Sequence, residues 1–100
     1  MKDSISVSEL QGFEWDQANA EKKWQAHHVS PSEAEQVFFN KPLLKGDDTK
    51  HSQKEKRHYV LGQTDQGRPL FVTFTVRKSR IRVISARAMS RKERKIYKQL

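Results

Sequence analysis

Cysteine is absent from this 100-residue chain. That removes disulfides, a thiol nucleophile and every cysteine-based zinc site. No apolar run approaches the roughly 20 residues that a bilayer-spanning helix needs. The opening stretch MKDSISVSELQGFEW also lacks the apolar core of a signal peptide. The expectation is a protein that stays in the cytoplasm, away from membranes. There is no GxGxxG, no P-loop, no nucleophile elbow and no HExxH. Four histidines without cysteine show no metal-ligand spacing. No metal and no cofactor are therefore expected, and a small-molecule enzyme is a distant reading.

Acidic residues are scarce where basic ones crowd. Residues 1–40 carry three basic and seven acidic side chains, a net of −4, and residues 41–76 carry a net of +3. Residues 77–100 hold ten basic side chains (Arg77, Lys78, Arg80, Arg82, Arg87, Arg91, Lys92, Arg94, Lys95 and Lys98) against Glu93 alone, a net of +9. Mixed signs would serve solubility better. Charge gathered at one end of a chain suits a polyanionic partner.

The length allows one core. Residues 1–10 read as a flexible lead-in and 11–100 as a single domain. Asp16 can cap a helix over roughly residues 17–28, with Ala20, Trp24 and His27 on one face. Ser30-Pro31-Ser32-Glu33 combines a cap, a first-turn proline and a capping box, and opens a second helix to about residue 39. The polar stretch 40–53, with Pro42 and Gly46, reads as a long loop. Three strands follow, at 55–64, 69–76 and 80–88, joined by turns at 65–68 and 78–79. In the second strand Leu70, Val72, Phe74 and Val76 share one face. Ser90 and Glu93 form another capping box and start a final helix to about Gln99. The expected fold is α+β: two N-terminal helices, a three-stranded antiparallel sheet with room for a fourth strand near Phe13, and a C-terminal helix. Helices on one face would leave the other open for function.

Several motifs, taken in order, resemble one family. They are FEWD (13–16), His27 with Val29, SPSEAEQVF (30–38), HSxxExR (51–57), GRPL (67–70), TVR (75–77), IRVISAR (81–87) and ERKIY (93–97). Over about residues 12–99 the chain resembles the BrnT bacterial toxins. The resemblance implies a RelE-like ribonuclease toxin of a type II toxin–antitoxin pair, cutting RNA without a metal. It further implies neutralisation by a BrnA-type antitoxin, a 2:2 heterotetramer with it, and contact with operator DNA only through it. Asn19, Lys23 and the Ala26-His27-His28 run depart from the family's usual residues.

Metal-free RNA cleavage needs a base for the 2′-hydroxyl proton, cations for the crowded phosphorane and an acid for the leaving oxygen. Candidates for the proton transfers are His51, Glu55, His27, His58 and Tyr97. Arg57, Arg77, Arg82 and Arg87 are candidate phosphate clamps, since the guanidinium fork binds phosphate bidentately and keeps its charge. The catalytic set reads as His51, Glu55, Arg57, Arg77 and Arg87, with Arg82, Arg80, Lys78 and Tyr97 as RNA contacts. Each has a plainer reading: a structural ion pair for Glu55, a loop histidine for His51, a helix anchor for Tyr97. Trp15 and Trp24 could stack on bases or fill the core. Two functions follow: an RNA endonuclease, or a non-catalytic module that binds RNA or an antitoxin.

Overall fold

The structure, a computed structural model, describes residues 12–14, 28–48 and 55–100. The predicted helix over 17–28, apart from His28, lies outside them, as do the lead-in, Trp15, Trp24, His27 and His51. The elements are β1 (Phe13–Glu14), α1 (Pro31–Val37), β2 (Leu44–Asp47), β3 (His58–Gln63), β4 (Pro69–Arg77), β5 (Arg80–Ala88) and α2 (Arg91–Tyr97).

Both described helices start where the sequence signals them. The Ser30 hydroxyl accepts from the Glu33 amide at 3.1 Å, and the Glu33 carboxylate accepts from the Ser30 amide at 3.0 Å. Ser90 and Glu93 repeat the arrangement at 3.2 and 2.8 Å. Each box satisfies two amides that a helix start otherwise leaves without partners. The Lys78-Ser79 turn has φ of 51° and 65°. This left-handed pair matches the twist of a two-residue hairpin and brings Arg77 opposite Arg80.

The sheet differs from the expected meander. It has five strands in the order β1-β5-β4-β3-β2. Strand β2 arises inside the stretch expected to be a loop, pairing Leu44 with Leu61 and Asp47 with His58. It is four residues long and Gly46 sits under the Tyr59 ring, so neither length nor side-chain alternation marks it as a strand. Strand β1 is the extra strand expected near Phe13, but it runs parallel to β5. The sheet is therefore mixed rather than wholly antiparallel.

One sheet face is packed. Leu70, Val72 and Phe74 of β4, Val60 of β3, and Ile81, Val83 and Ala86 of β5 are buried with Val29, Ala34, Val37 and Phe38. The Phe38 and Phe74 rings meet edge-on at 5.1 Å, a favoured aromatic geometry. Gly62 lets α1 approach: a Cβ there would lie 2.5 Å from Val37 Cγ1 and 3.2 Å from the Val37 carbonyl oxygen. His58 also faces the core. It is 4% exposed, lies 5.3 Å from the Phe74 ring, and pairs with Asp47 across the strands at 3.0 Å. Its place is structural.

No helix among the described residues is long and apolar enough to cross a membrane.

Candidate active site

The opposite sheet face carries polar side chains together with Leu61 and Phe71, and strand registers order them in rows. Tyr59, Thr73 and Ser85 form one row, and Leu61, Phe71 and Arg87 another. Towards the β4–β5 turn, Thr75 lies opposite Arg82 and Arg77 opposite Arg80. The β3–β4 register, continued past His58↔Phe74, puts Arg57 on the other side of Thr75 and Glu55 beside Arg77. The Glu55–Arg77 hydrogen bonds fit this continuation, while on the β2 side the Asp48 amide donates to the Arg57 carbonyl at 2.8 Å.

A bulge makes this possible. Thr73 pairs with Ser85 but Phe74 with Val83, leaving Ile84 as an extra residue on β5. In a strictly alternating strand Arg82 and Arg87 would face opposite ways. One unpaired residue resets the alternation, so Arg80, Arg82, Ser85 and Arg87 share a face. The 2.6 Å contact between the Thr73 and Ser85 hydroxyls ties the two strands at the bulge.

At the turn end a carboxylate sits among arginines. Arg77 donates to Glu55 through Nε at 2.7 Å and Nη2 at 3.0 Å. The hydrogen bond from Arg77 holds the Glu55 carboxyl below its ordinary range, partial burial opposes this, and the charges of Arg77, Arg82 and Arg57 add to the lowering. Glu55 in turn raises Arg77, with a smaller contribution from Glu14. Glu55, Arg57, Arg77 and Arg82 thus act on one another electrostatically, and Arg80 flanks them. Lys78 is exposed in the adjoining turn.

Arg87 is on the same face at its other end. It lies opposite Phe71, six residues along β4 from Arg77, a separation of about 20 Å at ~3.3 Å per residue. Its fork grips Glu93 at 2.8 and 2.9 Å, and its guanidinium lies 4.2 Å from the Phe71 ring centroid. The bond from Arg87 lowers Glu93 below the usual carboxylate range, against partial burial. Tyr97, raised by burial, donates to the Pro42 carbonyl at 2.6 Å. Together these contacts hold α2 over this end of the face, so the helices do not all lie on one side of the sheet as expected. Strand alternation allows Arg77 and Arg87 to meet; the register instead separates them along one surface. We expect Arg87→Ala to cost about 1–2 kcal/mol, the sum of a half-exposed ion pair and a cation–π contact, read as a lower urea midpoint.

Thr75 belongs to the turn-end row, although nothing local in the sequence distinguishes it from Thr73. Only its register between Arg57 and Arg82 brings it into the site. His28, at φ 56°, is exposed, and its carbonyl accepts from Arg68 at 2.8 Å. Among the described residues no three His, Cys, Asp or Glu side chains converge as metal ligands would.

A family model described as the ribonuclease toxin, BrnT, of type II toxin–antitoxin systems matches residues 15–93. The match takes in Glu55, Arg57, Arg77, Arg82, Arg87 and Glu93, and ends before Tyr97. No curated protein matches the chain.

Proposed function

The chain belongs to the BrnT family, the ribonuclease toxins of type II toxin–antitoxin systems, and from that premise we propose that it cuts RNA without a metal at the Glu55–Arg77 end of the arginine-bearing sheet face. The supporting observation is a carboxylate kept ionised within a group of arginines, Arg57, Arg77 and Arg82.

In this reading Glu55 takes the proton of a ribose 2′-hydroxyl. The freed oxygen attacks the adjacent phosphorus, the P–O5′ bond breaks, and the 5′-oxygen leaves with a proton from an acid. The products are a 2′,3′-cyclic phosphate and a 5′-hydroxyl. Arg77, Arg57 and Arg82 offset the charge that builds on the phosphorane. His51, four positions before Glu55 in the sequence, is the residue assigned as acid because histidine is the side-chain type that suits proton transfer near neutral pH.

A carboxylate held low by Arg77 is a poor base, since proton abstraction is best served by a pKa near the working pH. The substrate itself supplies the remedy. A phosphate competes for the same bidentate fork that Glu55 occupies, and losing Arg77 raises the carboxylate's basicity as the substrate arrives. Arg80 and Lys78 extend the cationic surface at the turn. Arg87 and Tyr97, besides holding α2, offer contacts to RNA farther along the face. The RelE-like fold, the cytoplasmic location, a BrnA-type antitoxin in a 2:2 complex, and operator DNA reached only through that antitoxin complete the proposal.

The test is the purified chain on a long RNA in excess chelator. We expect fragments with cyclic-phosphate ends and a rate unchanged by chelation. Binding should weaken with salt by a slope of about −0.7 per phosphate contact. Binding without fragments at any protein concentration would instead support the non-catalytic module. A rate abolished by chelation and restored by a divalent ion would end the metal-free mechanism.

A further inference from the structure

Thr75 is 3% exposed, and its Oγ1 is a buried side-chain oxygen with no hydrogen-bond partner among the described residues. Its neighbour on the same face, Thr73, is 8% exposed but shares a 2.6 Å hydrogen bond with Ser85. The two residues are two positions apart on one strand and so face the same way. One hydroxyl is satisfied and the other is not. Buried polar groups in folded proteins nearly always have a partner, and an orphan costs free energy until something supplies one.

The surroundings of the orphan restrict what that partner is. Its cross-strand neighbours are Arg82 by direct pairing and Arg57 by the continued register. Arg77 is two residues farther along β4 and Glu55 sits in the fork of Arg77. Side chains on both sides of the hydroxyl carry positive charge, so a cation is disfavoured and an anionic oxygen is favoured. A hydroxyl can donate to such an oxygen. Arginine side chains on the flanking strands are long enough to reach a phosphate placed over this position.

We propose that the Thr75 hydroxyl is a phosphate ligand, donating to a non-bridging oxygen of the RNA phosphate that Arg57 and Arg82 clasp from either side. The assignment rests on the ribonuclease reading above for the identity of the substrate, but the hydrogen bond itself is testable without cleavage. The role is distinct from that of the arginines: a neutral donor at the floor of the site fixes where the phosphate sits, while the cations determine how strongly it is drawn.

Valine has the shape of threonine without the hydroxyl, so Thr75→Val removes the orphan and leaves the packing. The full chain and its Thr75→Val and Thr75→Ser variants are compared in three measurements. These are urea unfolding, cleavage of single-stranded RNA, and binding of a 2′-O-methyl RNA oligonucleotide that cannot be cut. The expected result is a Val variant at least as stable as the parent, with kcat/KM reduced about 10- to 100-fold, the scale of a hydrogen bond to a charged group. Oligonucleotide binding should weaken with its salt slope unchanged, because no charge is lost, whereas Arg82→Ala should flatten the slope by about 0.7. The Ser variant should recover most of the activity.

A Val variant that binds and cuts like the parent overturns the assignment while leaving the ribonuclease reading intact. A Val variant that loses stability in step with activity also overturns it, by making the role structural. If the parent binds the oligonucleotide and never cuts RNA, and Val weakens that binding, the ligand assignment stands and the nuclease reading falls. A parent that neither binds nor cuts removes both.

Discussion

Glu55→Gln is expected to slow RNA cleavage by about 10²- to 10⁴-fold, the usual contribution of a positioned general base, in a protein that still folds. Glutamine keeps the shape of the side chain and one acceptor for Arg77, but it cannot take a proton. The loss of stability should stay within about 1 kcal/mol, because the pair is open to solvent, with Arg77 47% and Glu55 35% exposed. Arg77→Ala should depress cleavage on a similar scale by removing the fork that receives the phosphate. Arg87→Ala, acting from the far end of the face, should have a smaller effect on cleavage than on the docking of α2. The pH profile supplies an independent reading. Glu55 is held below the ordinary carboxylate range, so the free protein keeps its base ionised to lower pH than an unperturbed glutamate would. The acidic limb of kcat/KM should accordingly lie below the normal carboxylate pKa, and it should vanish in Glu55→Gln. Cleavage within a few-fold of the parent in the Gln variant would remove Glu55 from the mechanism.

The second large effect belongs to the opposite face. Phe74→Ala should destabilise the protein by about 3–5 kcal/mol through lost burial and an unfilled cavity. A domain of this size has roughly 5–15 kcal/mol in total. Phe74 is 1% exposed and meets both Phe38, at 5.1 Å, and His58, at 5.3 Å. Its removal therefore loosens α1 and unsupports the buried imidazole that Asp47 holds. Urea unfolding should show a much lower midpoint. A variant within 1 kcal/mol of the parent would mean that α1 and the loop residues around it collapse into the space.

The elements read most accurately from the chain are those whose causes are local. Leu70, Val72, Phe74 and Val76 alternate with Phe71, Thr73, Thr75 and Arg77, and β4 spans Pro69–Arg77, one residue beyond the expected end. The strand β5 runs over Arg80–Ala88 as its pattern indicates. The capping boxes at Ser30 and Ser90 are recognisable because both partners lie within three residues. Strand β2 leaves no comparable trace, since a short edge strand with a glycine under a tyrosine ring gains its identity from the neighbour it pairs with. The two-residue β1 is suggested by Phe13 and Glu14, but its parallel course is set by contact with Ile81 and Arg82, more than 60 positions away.

The candidate site divides in the same way. Residue types belong to the sequence: the density of arginine, the carboxylate at Glu55, the threonines set between apolar residues on β4, and a family pattern that spans them. Their arrangement belongs to the folded sheet. Side-chain direction reverses at every residue along a strand, so one unpaired position, Ile84, decides that Arg82 and Arg87 face the same way. The register then decides that Glu55 meets Arg77, that Thr75 lies opposite Arg82, and that Arg87 stands about 20 Å away beside Glu93. Composition and local signals are properties of neighbouring residues and survive in the unfolded chain. Register is a relation between distant strands, and it exists only once they have paired.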